Sequence, residues 1–127
     1  MATARAEFGP APYAQIITLR QHQLTSDEAA DLGGSDAGPS PSELLLGALA
    51  SCVAITLQMY AGRKGWALQN VEVDVDGRDE QGVYVIERRL TFHGDLTDEQ
   101  RTRLTDIASR CPVSKRLAGP VEIRAVE

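Results

Sequence analysis

The chain has 127 residues, the size of one ordinary domain and too short for two independent cores of normal size. At 43% hydrophobic and 24% charged it is globular in composition, and its net charge of −5 argues against a general nucleic-acid binder, which needs a basic face to displace counterions. Cys52 and Cys111 lie 59 positions apart, and with only His22 and His93 beside them there is no zinc-like spacing. Neither a metal, a cofactor nor a structural disulfide framework is expected.

Met1–Pro12 has no basic segment followed by an apolar run, so it does not read as a secretory signal, and a cytoplasmic location is the expectation. Tyr13–Arg20 (YAQIITLR) is β-branched at its middle and predicts the first strand, turning near His22. Asp27–Ser40 is a polar loop punctuated by Gly33, Gly34, Gly38 and Pro39. Its length is that of functional or mobile loops. Ser40, Pro41 and Glu43 then form a capping-box pattern, and the spacing predicts a helix from Pro41 to about Lys64, stopped by Gly65.

Leu44–Gly62 carries no charge over 19 residues, close to the roughly 20 that a membrane-spanning helix needs. Ser51, Cys52, Thr56 and Gln58 dilute its hydrophobicity, so a core helix of a soluble protein is expected instead, with no membrane partner. The strict alternation of Val71–Asp76 (VEVDVD) predicts a strand with one wet face. Gly77–Gly82 is the expected turn, and Val83–His93 the returning strand, with Tyr84, Ile86, Leu90 and Phe92 on one face.

A second capping box, Thr97 to Gln100, opens a helix whose buried stripe is Leu104, Ile107, Ala108 and Cys111. Pro112 starts a short third helix to about Leu117, and Val121–Val126 is the expected final strand. The order predicts a single α+β domain spanning residues 1–127, an antiparallel sheet packed on a long buried central helix. That helix of 24 residues is about 36 Å long at about 1.5 Å per residue, more than so small a domain covers on every side. A second copy is the expected cover, giving an intertwined homodimer; the alternative is a kink near Gly47 or Gly62.

Cys111, before Pro112 at a helix start, sits where free amides favour a thiolate. Cys52, midway along an apolar helix, sits where desolvation raises a thiol pKa, and on residue physics alone it reads as a small core residue. The run GGSDAGPSPSELLLGALASC, then VAITLQMYAGRKGW, then RCPVSKRL, resembles the osmotically inducible protein C and organic hydroperoxide resistance (OsmC/Ohr) family, from about Leu19 onward.

The resemblance implies an intertwined dimer of α+β subunits and a thiol peroxidase for organic hydroperoxides, without metal. It implies Cys52 as the peroxidatic thiolate, Cys111 as the resolving thiol, and recycling by a dithiol reductant such as a lipoylated protein. It also implies an acid and an Arg that hold the thiolate. The hydroperoxide-resistance branch has its acid ten positions before the first Cys; here that position is Ser42, and the acid is Glu43, nine before. Nine residues of helix place Glu43 roughly 13 Å from Cys52 along the axis, so a site using it is assembled across the dimer. Its other role is the helix cap.

Arg20, on the first strand, is the first choice for the Arg, with Arg63, Arg88 and Arg110 as competitors. The apolar Leu45, Leu49, Met59 and Tyr60 suit a hydrophobic peroxide. The competing function is a non-catalytic or small-ligand-binding dimer of the same fold, whose cysteines lack an activating Arg/Glu pair. A general thiol–disulfide exchanger fits less well, because there is no CxxC.

Overall fold

The structure, a computed structural model, describes residues 1–126 and divides into two compact units, Met1–Leu45 and Leu46 onward. The first unit holds an antiparallel meander of β1 (Arg5–Phe8), β2 (Gln15–Leu19) and β3 (His22–Ser26). Ile16, Ile17 and Thr18 give β2 its pleated preference, and it pairs with β1 from Arg5↔Thr18 to Phe8↔Gln15. The Tyr13–Arg20 strand is therefore the second strand, shorter than expected. Arg20 lies outside it, in the two-residue turn between Leu19 and His22, with φ of 58°.

The loop after β3 contains a short 3₁₀ turn, Ala30–Leu32, and is organised by one side chain. Asp27 is buried, and its carboxylate accepts from the amides of Glu28 at 2.7 Å, Ala37 at 3.1 Å and Ser35 at 3.2 Å. The Ala37 amide, with those of Glu28 and Ser35, holds its pKa below the ordinary carboxylate value against the opposing effect of burial. Ser40 and Glu43 then make the expected reciprocal cap. The Ser40 amide donates to Glu43 Oε1 at 2.8 Å, and the Glu43 amide to Ser40 Oγ at 3.2 Å.

Helix α1 (Pro41–Lys64) is continuous through Gly47 and Gly62. It is long and apolar enough to cross a membrane. Within the second unit, however, Leu49, Val53, Leu57 and Ala61 follow one another at every fourth position and form a buried stripe. They pack with Leu104, Ile107, Ala108 and Cys111 into one core, so this side of α1 serves as a core helix. Leu57 and Leu104 are wholly enclosed, and each such burial contributes about 1.5–3 kcal/mol. The burial is a stripe rather than all-round: Ile55 and Met59, on the opposite side of the helix, are 53% and 55% exposed.

Strands β4 (Asn70–Glu80) and β5 (Val83–His93) form a separate two-stranded sheet, so the antiparallel structure is split between two sheets rather than gathered in one. Val71, Val73 and Val75 face the core with Ile86, Leu90 and Phe92, while Glu72, Asp74 and Asp76 face water. The ladder runs to Glu80↔Val83, so the expected turn at 77–82 narrows to Gln81 and Gly82. Both have positive φ, 49° and 82°, the signature of a type I′ hairpin turn, whose twist matches that of long strands.

The capping box of Thr97 and Gln100 opens α2 (Asp98–Ala108), and Cys111 caps α3 (Pro112–Ala118). The expected strand at Val121–Val126 is absent. Among the described residues no strand pairs with it, Ile123 and Val126 are exposed, and an extended segment without a partner edge has no ladder to join.

Candidate active site

Three local choices bring the two sulfurs together. Cys52 is one position before Val53 and four after Ala48, so it sits at the margin of the buried α1 stripe and remains half-buried against the core. Leu104, Ile107 and Ala108 seat α2 on that same core. The chain then leaves α2, and Pro112 holds Cys111 extended, with φ of −67° and ψ of 148° at the start of α3. Cys111 is 0% exposed and packs in the core beside Cys52. Both cysteines are free thiols.

The two sulfurs have opposite surroundings. The Cys111 Sγ receives the Ser114 amide at 3.3 Å and lies 3.0 Å from the Ser114 Oγ. Burial is the largest single influence on Cys111 and pushes its pKa up. The Ser114 hydroxyl and amide, the Cys52 thiol and the Val113 amide together outweigh it, so the thiol lies below its ordinary value. For Cys52, burial is again the largest influence, and here it prevails. Its direct interaction with Cys111 adds to the upward push, and the Val113 amide and Thr56 hydroxyl only oppose it. Burial and the neighbouring Cys111 thus hold the Cys52 thiol above its ordinary value, while Ser114 and Val113 favour the thiolate at Cys111.

Arg20 and Glu43 belong to the first unit. Arg20 is exposed, with its guanidinium 3.5 Å from His22 Nε2. Glu43 is exposed and engaged as the helix cap. The Ser40 amide and hydroxyl hold its carboxyl below the usual range.

Ser114, Thr56 and the Val113 amide were not singled out from the sequence. The signal for Ser114 was present: a residue three positions after a capping Cys presents its amide to the cap side chain. Arg88 carries a second overlooked signal. It shares the strand parity of Ile86, Leu90 and Phe92, opposite Val75, so it is a cation set on the apolar face of β5. With Ser109, Ser114, Leu49, Ile86 and Leu117 it lines a solvent-open cavity of about 340 Å³. Among the described residues no group of His, Cys, Asp and Glu is placed to hold a metal ion.

Comparison with known proteins identifies the fold and the family. A search of curated proteins returns no match. Among solved structures, an OsmC-like protein from Mycoplasma pneumoniae is similar with a TM-score of 0.80 at 20% identity, covering 94% of this chain and 88% of that one. An organic hydroperoxide resistance protein OsmC from Legionella pneumophila is similar with a TM-score of 0.68 at 19% identity, covering 94% and 90%. The organic hydroperoxide resistance protein OhrB of Bacillus subtilis is similar with a TM-score of 0.64 at 24% identity, covering 94% and 91%. These likenesses establish the α+β fold, and they show that some proteins of this fold are organic hydroperoxide resistance proteins. The model of the OsmC-like protein family matches residues 33–126, a stretch that includes both cysteines. By that match, this chain belongs to the OsmC-like protein family.

Proposed function

We propose that the chain is a cysteine-dependent peroxidase that reduces organic hydroperoxides, with Cys52 as the peroxidatic sulfur and Cys111 as the resolving one. The contact between a half-buried Cys52 and a fully buried Cys111 carries the reading, because it leaves Cys52 as the sulfur a peroxide can approach, with its resolving partner already behind it. Cys52 passes its proton to the Cys111 thiolate and attacks the terminal peroxide oxygen. The O–O bond breaks, leaving Cys52 as a sulfenic acid and releasing an alkoxide, which takes the proton from Cys111 and departs as an alcohol. The Cys111 thiolate then attacks the Cys52 sulfur, an S–S bond forms, and the hydroxyl leaves as water after gaining a proton. A dithiol reductant, a lipoylated protein being one such class, restores both thiols by exchange and is itself oxidised to a disulfide.

In this reading the 127 residues form a single cytoplasmic OsmC-like domain acting as a homodimer, with Arg20 and Glu43 as supporting residues of the site brought in through the dimer. The exposed Ile55 and Met59 of α1 support a second copy. One observation favours the alternative of a non-catalytic or ligand-binding dimer: among the described residues, no cation is one of the groups acting on the Cys52 sulfur.

One experiment separates the two readings. One equivalent of cumene hydroperoxide is expected to consume both thiols of the parent, Cys52→Ser to abolish the reaction, and Cys111→Ser, which lacks the base, to react more slowly and leave a sulfenic acid on Cys52. Survival of both thiols in excess peroxide overturns the peroxidase reading.

A further inference from the structure

Arg88 is placed where a strand ordinarily carries an apolar side chain, between Ile86 and Leu90 on the core-facing side of β5. Its neighbour Arg89 takes the other parity, with Glu87 and Thr91. The Arg88 Nε is closed off from water and has no hydrogen-bond partner. Among the described residues, no ion pair includes Arg88. A guanidinium nitrogen closed off from water without a hydrogen-bond partner carries a cost, and the ion pairs of this unit do not reach it.

The same side chain lines the 340 Å³ cavity, together with the hydroxyl residues Ser109 and Ser114 and the apolar Leu49, Ile86 and Leu117. Ser114 is also the residue that touches the Cys111 sulfur, so the cavity borders the thiol pair. An apolar space with a few convergent polar groups is the usual form of a small-molecule site. A planar guanidinium pairs best with a carboxylate, through parallel N–H donors. An inorganic anion leaves the three apolar walls uncovered, and a neutral hydrocarbon leaves the cation unpaired.

We propose that this cavity binds a small apolar monocarboxylate, its carboxylate paired with Arg88 and its hydrocarbon part against Leu49, Ile86 and Leu117. The site concerns binding and is expected whether or not Cys52 reacts with peroxide.

Octanoate is the probe, with octanamide as its uncharged counterpart, and titration calorimetry on the full chain is the measurement. Octanoate is expected to bind the parent and to bind Arg88→Met weaker by about tenfold or more, the loss of a charge-assisted pair. Octanamide is expected to bind both proteins alike. Arg88→Lys keeps the charge and loses the planar fork, so it is expected to fall between the two; it also serves as the test should Arg88→Met not fold. The proposal is overturned if octanoate binds the parent and the Arg88 variants equally, or binds none of them. It is also overturned if octanoate fails to bind while Arg88→Met shifts the self-association midpoint, since a second copy of the chain then fills the cavity. Peroxide consumption measured on the same samples reports on the peroxidase reading independently.

Discussion

At the scale of single residues, polarity within the sulfur pair is the decisive feature. Ser114 and Val113 lower Cys111, and burial raises Cys52, so the first thiolate to appear as pH rises is at Cys111. Thiolate ultraviolet absorbance of the single variants checks this. Cys52→Ser, which retains Cys111, is expected to titrate at lower pH than Cys111→Ser, which retains Cys52. The reverse order sinks the assignment. The two environments were legible in the sequence, one from Cys-Pro at a helix start and the other from a mid-helix place among apolar residues. Their contact was not, because two sulfurs 59 positions apart meet only once α1 and α2 are packed. Arg88 was named only as a competitor for the activating Arg, and its inward parity was readable and unused: the alternation that gave Ile86 and Leu90 also covers the residue between them.

At the scale of elements, capping and turn chemistry fixed the helices more firmly than the strands. Both reciprocal caps stand where Ser40–Glu43 and Thr97–Gln100 place them, since a cap is satisfied within four residues. Strands depend on distant partners, which is why β1 went unseen in the N-terminal run and why Val121–Val126 lacks the ladder expected for it. The Asp27 loop gives a prediction at this scale. Its folded pKa is lowered, so the stability it contributes is fully present above the unfolded value of about 3.9 and is lost as pH falls through the lower folded value. Asp27→Asn is expected to melt below the parent at neutral pH, with the two melting curves converging in acid. A constant gap across that range in thermal melts refutes the role.

For the whole molecule, the exposed side of α1 sets the expectation. Ile55 and Met59 are four apart on the side opposite the Leu49–Ala61 stripe, and both are more than half exposed, so the proposed homodimer would place its second chain over this side. Sedimentation of the parent at micromolar concentration is expected to give the mass of two chains, and Ile55→Lys combined with Met59→Lys that of one. A parent that sediments as one chain removes the homodimer. The family match, residues 33–126, takes in the second unit and only the last part of the first, so the β1–β3 meander lies outside it.

Gly77 shows how far a small choice reaches. The Tyr84 phenol lies in the space that a β-carbon at position 77 takes up, and Tyr84 is itself part of the wall beside Arg88. A missing methyl on β4 thus acts as a spacer for the chamber formed by its neighbouring strand. A side chain at position 77 would displace the Tyr84 phenol and reshape the chamber while every residue lining it kept its identity.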